Sequence, residues 1–494
     1  MMKKLLAFIL CANLMTAAFA QSVFTVSPSM DNGNELMLLG ESMSQNHAWV
    51  AGTDQMAGIP MIWNVATGDV TMFLYMDSIY VETYWEVMPM TGSFHSINNN
   101  GVAVGGLKNA AYVSHPIMAT ADGNLTYLYY NVDEDTTGGS EAYGISEDGS
   151  TIIGFHFDAQ WRTNACVWTE NGTVRTDLPW PTQEQMGFPV EYVSARWVSS
   201  NGNVILGYAQ DDNTGAWVAV TWSKVNGEWV VNPFCSNYYQ TKYYTEEGEL
   251  IIPGNNPYFD FEPVALSANG DWVSLNVLAR HDPSDWDNIP LNQAARYNIS
   301  TNTFQVVNFN EGYTELRMFG IADNGTAVGR LTGEMDFETW DQPVDAVVWA
   351  SNGTSLHRIS EMYADDEYCA GMTASALSFI TADASYIMGY ASNANMEQTT
   401  FVVALRPIPA DAGIENVEAE ISLYPNPATT RMAINSDEMI RSISILDIKG
   451  QMIRAQNVDA SQAVLDVQDL ANGMYLLSIV TDNGRIVKKV AVTR

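Results

Sequence analysis

Basic residues are scarce in this sequence. Its 494 residues contain 22 Lys and Arg against 57 Asp and Glu, and the formal net charge is −35. Nucleic-acid-binding proteins carry basic patches or stripes, and clusters of Lys and Arg attract proteins to anionic membranes. The charge balance therefore argues against a nucleic-acid partner and against docking on an anionic membrane surface.

Long hydrophobic runs are absent beyond the N-terminus. Lys3 and Lys4 precede an apolar run over residues 5–18, and Ala18-Phe19-Ala20 fits a small-x-small cleavage site. This pattern predicts a secretory signal peptide over residues 1–20. The alternative is a membrane anchor, but the run is shorter than the ~20 residues of a spanning helix. We therefore expect no transmembrane segment in the mature chain.

Cysteine is also rare. Once Cys11 leaves with the signal peptide, three cysteines remain, Cys166, Cys235 and Cys369. An odd count excludes a complete disulfide framework. Cys166 lies in an apolar strand and is predicted to be a small buried residue, whereas a Cys235–Cys369 pair stays open.

The common signatures of catalytic and metal sites are missing. The six histidines form no helical zinc pair, and there is no G-x-S-x-G elbow, P-loop or dinucleotide fingerprint. Two loops have loosely calcium-like spacing but lack the rest of an EF-hand, and we interpret them as solvated acidic loops: Asp133, Asp135 and Gly138, and Asp211, Asn213 and Gly215. The sequence thus identifies no catalytic residue, metal ligand or cofactor site.

A repeated unit dominates the central part of the chain. Each copy has an apolar residue, a small or polar stretch with a turn, and an apolar run. The copies are MSQNHAWVAG (43–52), INNNGVAVG (97–105), ISEDGSTIIG (145–154), VSSNGNVILG (198–207), LSANGDWVSL (266–275), IADNGTAVG (321–329) and ITADASYIMG (380–389). An aromatic strand such as ACVW (165–168) and a further strand usually follow. Each unit therefore predicts four short antiparallel strands, with Asn-Gly or Asp-Gly turns and a core Trp.

Seven such units predict an all-β chain with a seven-bladed β-propeller over residues 21–406. Six or eight blades, or an open β-solenoid, are the alternatives. The seventh unit lacks a fourth strand, and residues 23–26 form an orphan strand near the mature N-terminus. We expect this strand to complete the seventh blade and close the ring.

An aromatic insertion lengthens the spacing between the fourth and fifth copies to 68 residues. Its rings could form a ligand-contact surface or pack against the propeller edge. The candidate binding residues are Tyr238, Tyr239, Tyr243, Tyr244 and Tyr258.

The composition changes after residue 406. Residues 407–419 resemble a linker, and residues 420–494 carry eight basic and eight acidic residues, whereas residues 21–419 carry 12 and 49. Alternation in Ser442-Ile443-Ser444-Ile445 predicts a strand with one buried face. This segment predicts a separate small Ig-like β-sandwich.

The C-terminal segment resembles the type A sorting domain of type IX secretion cargo from Bacteroidetes. The motifs that carry the resemblance are YPNPA (424–428), DIKGQ (447–451), LANGMY (470–475) and KKV (488–490). Within them we single out Tyr424, Pro425, Asn426, Pro427, Gly450, Gly473, Tyr475, Lys488 and Lys489 as the sorting motif. The resemblance implies export through the periplasm and across the outer membrane by the type IX machinery, to the cell surface or the medium. An ordinary Ig-like accessory domain is the alternative.

The repeats resemble HAF-type extracellular repeats, which implies an exported β-rich protein without a specific chemistry. The segment ISEDGST (145–151) also approaches the Asp-box of sialidase-like propellers, with a one-residue departure in spacing. Sialidase chemistry needs an arginine cluster, and the twelve basic residues of 21–419 are scattered along the chain.

Two functions remain open from the sequence. One is a cell-surface module that binds a glycan or protein ligand. The other is a hydrolase or lyase that acts on polysaccharide with carboxylates in the propeller channel, for which Asp282, Asp285, Asp287, Asp365 and Asp366 are candidates.

Overall fold

The computed structural model contains two compact units, Met1–Ile408 and Pro409–Arg494. The residues that it describes are 24–27, 38–81, 84–131, 139–212, 217–232, 243–244, 250–251, 259–279, 293–301, 303–307, 313–335, 342–351, 356–366, 369, 372–392, 398–408, 422–446, 452–481 and 484–493. The predicted signal peptide lies outside them. No helix within these ranges has the length and hydropathy needed to cross a membrane.

Seven four-stranded antiparallel sheets make up most of the described part of the first unit. The first three sheets contain β2 (Leu38–Met43), β3 (Trp49–Asp54), β4 (Pro60–Asn64) and β5 (Val70–Met72); β8 (Thr91–Ile97), β9 (Val102–Lys108), β10 (Ser114–Thr120) and β11 (Leu125–Tyr127); and β12 (Ser140–Ile145), β13 (Ile152–Phe157), β14 (Thr163–Thr169) and β15 (Val174–Asp177). The next three contain β16 (Val190–Val198), β17 (Val204–Asp211), β18 (Trp217–Val225) and β19 (Glu228–Asn232); β22 (Phe259–Leu266), β23 (Trp272–Ala279), β24 (Gln293–Asn298) and β25 (Thr303–Val307); and β26 (Tyr313–Ile321), β27 (Ala327–Gly333), β28 (Val344–Trp349) and β29 (Leu356–Arg358).

The seventh sheet joins the two ends of the first unit. It contains β30 (Thr373–Ile380), β31 (Tyr386–Ser392), β32 (Gln398–Ala404) and, at its edge, β1 (Thr25–Val26). Thr25 pairs with Val402, and Val26 pairs with Phe401. The predicted pairing of the N-terminal strand with the last repeat is therefore confirmed.

Short elements connect the sheets. They are the hairpin β6 (Met76–Val81) and β7 (Tyr84–Pro89), the hairpin β20 (Tyr243–Tyr244) and β21 (Leu250–Ile251), and the helices α1 (Gln183–Met186) and α2 (Ile359–Met362). Thr182 caps α1, since its hydroxyl accepts a hydrogen bond from Gln185 N at 3.2 Å.

The turn of each repeat explains its hairpin. In the third repeat, Ser146 Oγ donates to Asp148 Oδ1 at 2.7 Å and accepts from Thr151 N at 3.0 Å. Gly149 follows with a φ of 74°, a conformation that only glycine adopts without strain. Equivalent hydroxyl contacts recur at Ser199 and Ser267. A short polar sequence therefore specifies the connection between the first two strands of a sheet.

Hydrogen bonds between these turns run around all seven repeats. They are Asn46 N to Asn99 Oδ1 (2.6 Å), Asn99 N to Glu147 Oε1 (2.5 Å), Glu147 N to Ser200 O (2.9 Å), Ser200 N to Ala268 O (2.7 Å), Asn269 N to Asp323 Oδ1 (2.8 Å), Asp323 N to Ala382 O (2.9 Å) and Ala382 N to Gln45 Oε1 (2.6 Å). The last of these bonds returns from the seventh repeat to the first. The sheets therefore form a closed ring, which is the arrangement of a β-propeller.

Buried Trp side chains fill the space between neighbouring sheets. Trp63, Trp168, Trp222 and Trp349 occupy equivalent places on the third strands and are fully buried. Their predicted role in the core is confirmed, as is the burial of Cys166.

The second unit is a five-stranded antiparallel sheet. Its strands are β33 (Ser422–Tyr424), β34 (Arg431–Leu446), β35 (Met452–Asp466), β36 (Gly473–Thr481) and β37 (Gly484–Val492). The pairing of β34 with β35 is interrupted between Asn435 and Ile440, and residues from both sides of the interruption share one core. Ile443 and Ile445 are buried, as the alternating pattern predicts.

Candidate functional site

The first strands of the seven sheets surround a central channel. In order around the ring they are β2, β8, β12, β16, β22, β26 and β30, and β30 contacts β2 again. The channel contains a cavity of about 800 Å³ that side chains from all seven of these strands line. A concave site built on rigid strands is the usual setting for ligand binding.

A ring of aliphatic side chains lies next to the turns. It consists of the residue that opens each repeat: Met43, Ile97, Ile145, Val198, Leu266, Ile321 and Ile380. We call this set the aliphatic ring. Its apolar character is uniform in all seven sheets, so one end of the cavity offers no charged group from these positions.

Polar groups face the cavity farther from the turns. The position three residues before each turn contributes the polar or charged residues Glu41, His95, Tyr143, Arg196 and Ser378 and the apolar residues Val264 and Phe319. Because successive residues that face the same way are about 7 Å apart along a strand, this second layer is displaced from the aliphatic ring along the channel.

His95 lies between two carboxylates. Its Nδ1 is 2.5 Å from Glu41 Oε2, and its Nε2 is 3.2 Å from Glu141 Oε1. The imidazole also stacks on Tyr143 with a centroid separation of 4.4 Å, and the Tyr143 hydroxyl donates to Glu141 Oε2 at 2.9 Å. These contacts use both ring nitrogens and both oxygens of Glu141.

Hydrogen bonds and opposite charges determine the pKa values of His95 and Glu141. Burial alone would lower the pKa of His95, but its hydrogen bonds to Glu141 and Glu41 and their negative charges outweigh burial and raise the pKa to about 9. Burial would raise the pKa of Glu141, but the hydrogen bond and charge of His95 lower it below its ordinary value. The imidazole is therefore positively charged at neutral pH.

Arg196 extends the same side of the cavity. Its guanidinium carbon lies 3.6 Å from the centroid of Tyr143, on a ring that also contacts His95, and its Nε donates to the Tyr208 hydroxyl at 3.1 Å. Burial raises the pKa of Tyr143 above its ordinary range, and Glu141 adds to this effect, so the phenol stays protonated. The Tyr143 ring therefore contacts both the Arg196 guanidinium and the His95 imidazole while its hydroxyl binds Glu141.

A second cationic group lies on the sixth sheet. Arg317 Nε donates to Glu315 Oε1 at 2.6 Å, and Arg330 Nη2 is 3.9 Å from Glu315 Oε2. Both arginines line the cavity, as does Glu262 of the neighbouring sheet. The basic residues are scattered along the chain, but ring closure brings Arg196, Arg317 and Arg330 to one cavity.

The aromatic insertion lies mostly outside the described residues. Tyr238, Tyr239 and Tyr258 belong to the part that is not described. Tyr243 and Tyr244 form β20, which pairs with β21. Their predicted role in ligand binding stays a prediction.

Two of the five aspartates proposed for the channel do not line its cavity. Asp365 and Asp366 form ion pairs with Arg406 and do not line the cavity, whereas Asp282, Asp285 and Asp287 lie outside the described residues. Cys235 and the two calcium-like loops also fall wholly or partly outside them. Within the described ranges, no group of three or more His, Cys, Asp or Glu could hold a metal ion.

The sorting-motif residues lie along the strands of the second unit. Tyr424 is exposed at the end of β33, and Asn426 Oδ1 accepts from Ala491 N on β37 at 2.9 Å. The Tyr475 hydroxyl donates to Ala471 O at 2.9 Å. Lys488 and Lys489 lie on β37 opposite β36. Pro425 and Pro427 flank Asn426, Gly473 begins β36, and Gly450 lies outside the described residues.

The comparison with protein families identifies this second unit. Residues 422–493 match the family described as the secretion system C-terminal sorting domain. The chain carries a type IX secretion sorting tail. This tail indicates export to the cell surface or the extracellular space and an interaction with the type IX machinery. Among curated proteins, none matches this chain.

Several solved structures resemble the chain at low identity. PorZ, a surface component of the type IX secretion system of Porphyromonas gingivalis, has 9% identity and a TM-score of 0.37; the match covers 94% of this chain and 61% of PorZ. The β-propeller domain of the Trilobed protease from Pyrococcus furiosus has 8% identity and a TM-score of 0.36, over 84% of this chain and 97% of that domain. These similarities carry no inference on function, and this chain spans less than two thirds of PorZ.

Proposed function

We propose that this chain is a type IX secretion cargo whose seven-bladed β-propeller works outside the cell as a ligand-binding module. The sorting domain at residues 422–493 is the observation that carries the proposal of export. The proposal includes a signal peptide over residues 1–20, a linker over 407–419 and a type A, Ig-like sorting domain over 420–494 in a member of the Bacteroidetes.

The channel cavity supports the binding role. It combines an aliphatic ring with charged and aromatic groups on a rigid closed ring of strands. We assign the primary ligand contact to this cavity, for a glycan or protein-derived ligand. The tyrosines of the insertion remain a possible second contact surface.

The alternative of polysaccharide hydrolysis or elimination finds less support in the geometry. Glu41 and Glu141 converge, but both carboxylates bind His95. A general acid for glycoside cleavage needs a raised pKa, and the pKa of Glu141 is lowered by His95. Acid catalysis by Glu41 and Glu141 is therefore disfavoured, and Glu147, whose pKa is raised by burial and which also lines the cavity, is the carboxyl group that fits the enzymatic alternative better.

Export is tested by moving the tail. A chain that ends at Asp411 should accumulate in the periplasm of a type IX-competent host, because it lacks the segment that the machinery recognises. Residues 412–494 fused to a reporter with an unrelated signal peptide should send that reporter to the surface or medium, and a secretion-deficient strain should abolish this. Normal surface amounts of the truncated chain would refute the proposal.

Binding is tested by screening the full chain on a glycan array, with parallel assays of hydrolysis on the same glycans. Binding without product release supports the module, whereas turnover would establish the enzymatic alternative.

A further inference from the structure

We propose that the channel cavity is a site for an amphipathic carboxylate, with Arg317 and Arg330 on the carboxylate and the aliphatic ring around the hydrocarbon. This inference rests on the proposed binding role of the channel and specifies the chemical class of its ligand.

The two arginines form an unfavourable pair in the absence of an anion. Arg317 on β26 lies directly opposite Arg330 on β27 in the antiparallel register. Like charges directly opposite each other destabilise a sheet. A fold that keeps such a pair beside a cavity gains from an anion that enters between them.

Glu315 compensates this pair only in part. One carboxylate carries one negative charge for two guanidinium groups, and its distance to Arg330 is 3.9 Å, beyond hydrogen-bond range. Arg330 Nε is buried and has no hydrogen-bond partner among the described residues. An unpaired buried donor destabilises the folded protein. Counted among the described residues, the group Arg317, Arg330 and Glu315 therefore has a net charge of +1 and at least one unused donor.

The distribution of charge in the domain agrees with an anion site. Three of the twelve basic residues in 21–419 line this cavity, namely Arg196, Arg317 and Arg330, against three of the 49 acidic residues, Glu41, Glu147 and Glu262. The guanidinium group matches a carboxylate with two parallel hydrogen bonds. Arginine is thus concentrated where a carboxylate could be bound.

The aliphatic ring specifies the rest of the ligand. Ile321 follows Arg317 by four residues on β26, so the two positions are roughly 10–13 Å apart along the channel. A hydrophilic acid would pair with the arginines but would not contact the aliphatic ring, whereas a neutral hydrocarbon would contact the ring and leave the arginines without an added anion. A carboxylate with an aliphatic chain uses both parts of the cavity.

The test is calorimetric titration of the purified full chain with octanoate, 1-octanol and glucuronate. Octanoate should bind with one site per chain, and 1-octanol and glucuronate should each bind at least tenfold more weakly. Arg317→Gln and Arg330→Gln should weaken octanoate binding by roughly 10- to 100-fold, because each removes hydrogen bonds to a charged group.

Two further variants serve as controls. Glu262→Gln removes a negative charge from the cavity and should strengthen octanoate binding, whereas Arg162→Gln, at an exposed arginine paired with Asp158, should leave it unchanged. Equal binding of 1-octanol and octanoate, tighter binding of glucuronate, or wild-type affinity in folded Arg317 and Arg330 variants would overturn the inference. If the Arg317 and Arg330 variants fail to fold, the relative affinities of the wild-type chain for octanoate, 1-octanol and glucuronate test the inference alone.

Failure of this inference can be told apart from failure of the proposed function. If octanoate does not bind but a glycan-array ligand does, and channel variants weaken that glycan, the binding role stands and the ligand class is wrong.

Discussion

Two buried tryptophans in equivalent places provide a matched test of the packing between sheets. Trp168 Nε1 donates a hydrogen bond to Tyr129 O at 2.7 Å. Trp63 is equally buried, but its Nε1 has no hydrogen-bond partner among the described residues. Replacing each with Phe removes the same atoms from similar surroundings, so the difference between the two variants isolates the hydrogen bond.

The expected difference follows from the polar atoms that remain. Trp168→Phe leaves the Tyr129 carbonyl without its indole donor, which costs about 1–3 kcal/mol. Trp63→Phe removes a donor that is already unsatisfied, so it adds no such cost. Trp168→Phe should therefore destabilise by about 2 kcal/mol more. At roughly 2 cal/mol/K of unfolding entropy per residue, that corresponds to a melting-temperature difference of about 2–3 °C in the larger unit.

The assay is thermal and urea unfolding followed by circular dichroism, which does not depend on the indole signal. Trp222→Phe is a replicate of the hydrogen-bonded case, because Trp222 Nε1 donates to Pro179 O at 2.8 Å. It should resemble Trp168→Phe. If Trp63→Phe destabilises the protein as much as the other two, the buried hydrogen bond does not contribute as argued.

Two further predictions concern the channel and the ring closure. Because the folded-state pKa of His95 is raised to about 9 from an ordinary value of 6.5, its stabilisation is complete below pH 6.5. This stabilisation is lost as the pH rises through about 9, which lowers the free energy of unfolding by up to about 3 kcal/mol. The variant His95→Gln should therefore flatten this part of the curve of unfolding free energy against pH, measured by urea unfolding. An unchanged slope would contradict the ion-pair assignment. Deleting residues 21–28 removes β1 and the Phe24 ring, which lies 5.2 Å from Phe401. It exposes the edge of β32 and should lower the melting temperature by several degrees, and a variant that melts like the parent would refute the role of β1 in closure.

The sheets were predictable because the signals that form them are local. A Ser or Thr hydroxyl, an Asn or Asp two residues later and a glycine at positive φ fix a turn within six residues, as at Ser146 and Gly149. The full pattern recurs at Ser199 and Ser267, and the other units carry partial versions of it, so weak individual signals reinforce one another. The orphan strand was also predictable, because an unpaired edge in the last unit has to be covered.

The channel site was not predictable in the same way, because its members lie far apart in sequence. Glu41 and Arg330 are separated by most of the propeller, and neither belongs to a recognisable motif. Only ring closure places equivalent positions of different repeats around one axis. The sequence does contain a signal for this site. When the repeats are aligned on their turns, the position three residues before the turn is occupied in the first four repeats by Glu41, His95, Tyr143 and Arg196.

The second unit has a hydrophobic core of its own, so an effect of tail removal on export can be distinguished from an effect on folding of the propeller. Among the described residues, the buried core of the second unit lies between Ala428 and Val492, and the first unit completes its seventh sheet with its own N-terminal strand. Removing the tail therefore leaves every described strand of the propeller sheets in place. A truncated chain that folds but stays in the periplasm would report the loss of sorting rather than of stability. Ligand binding by that truncated chain would in turn show that the channel works without the tail.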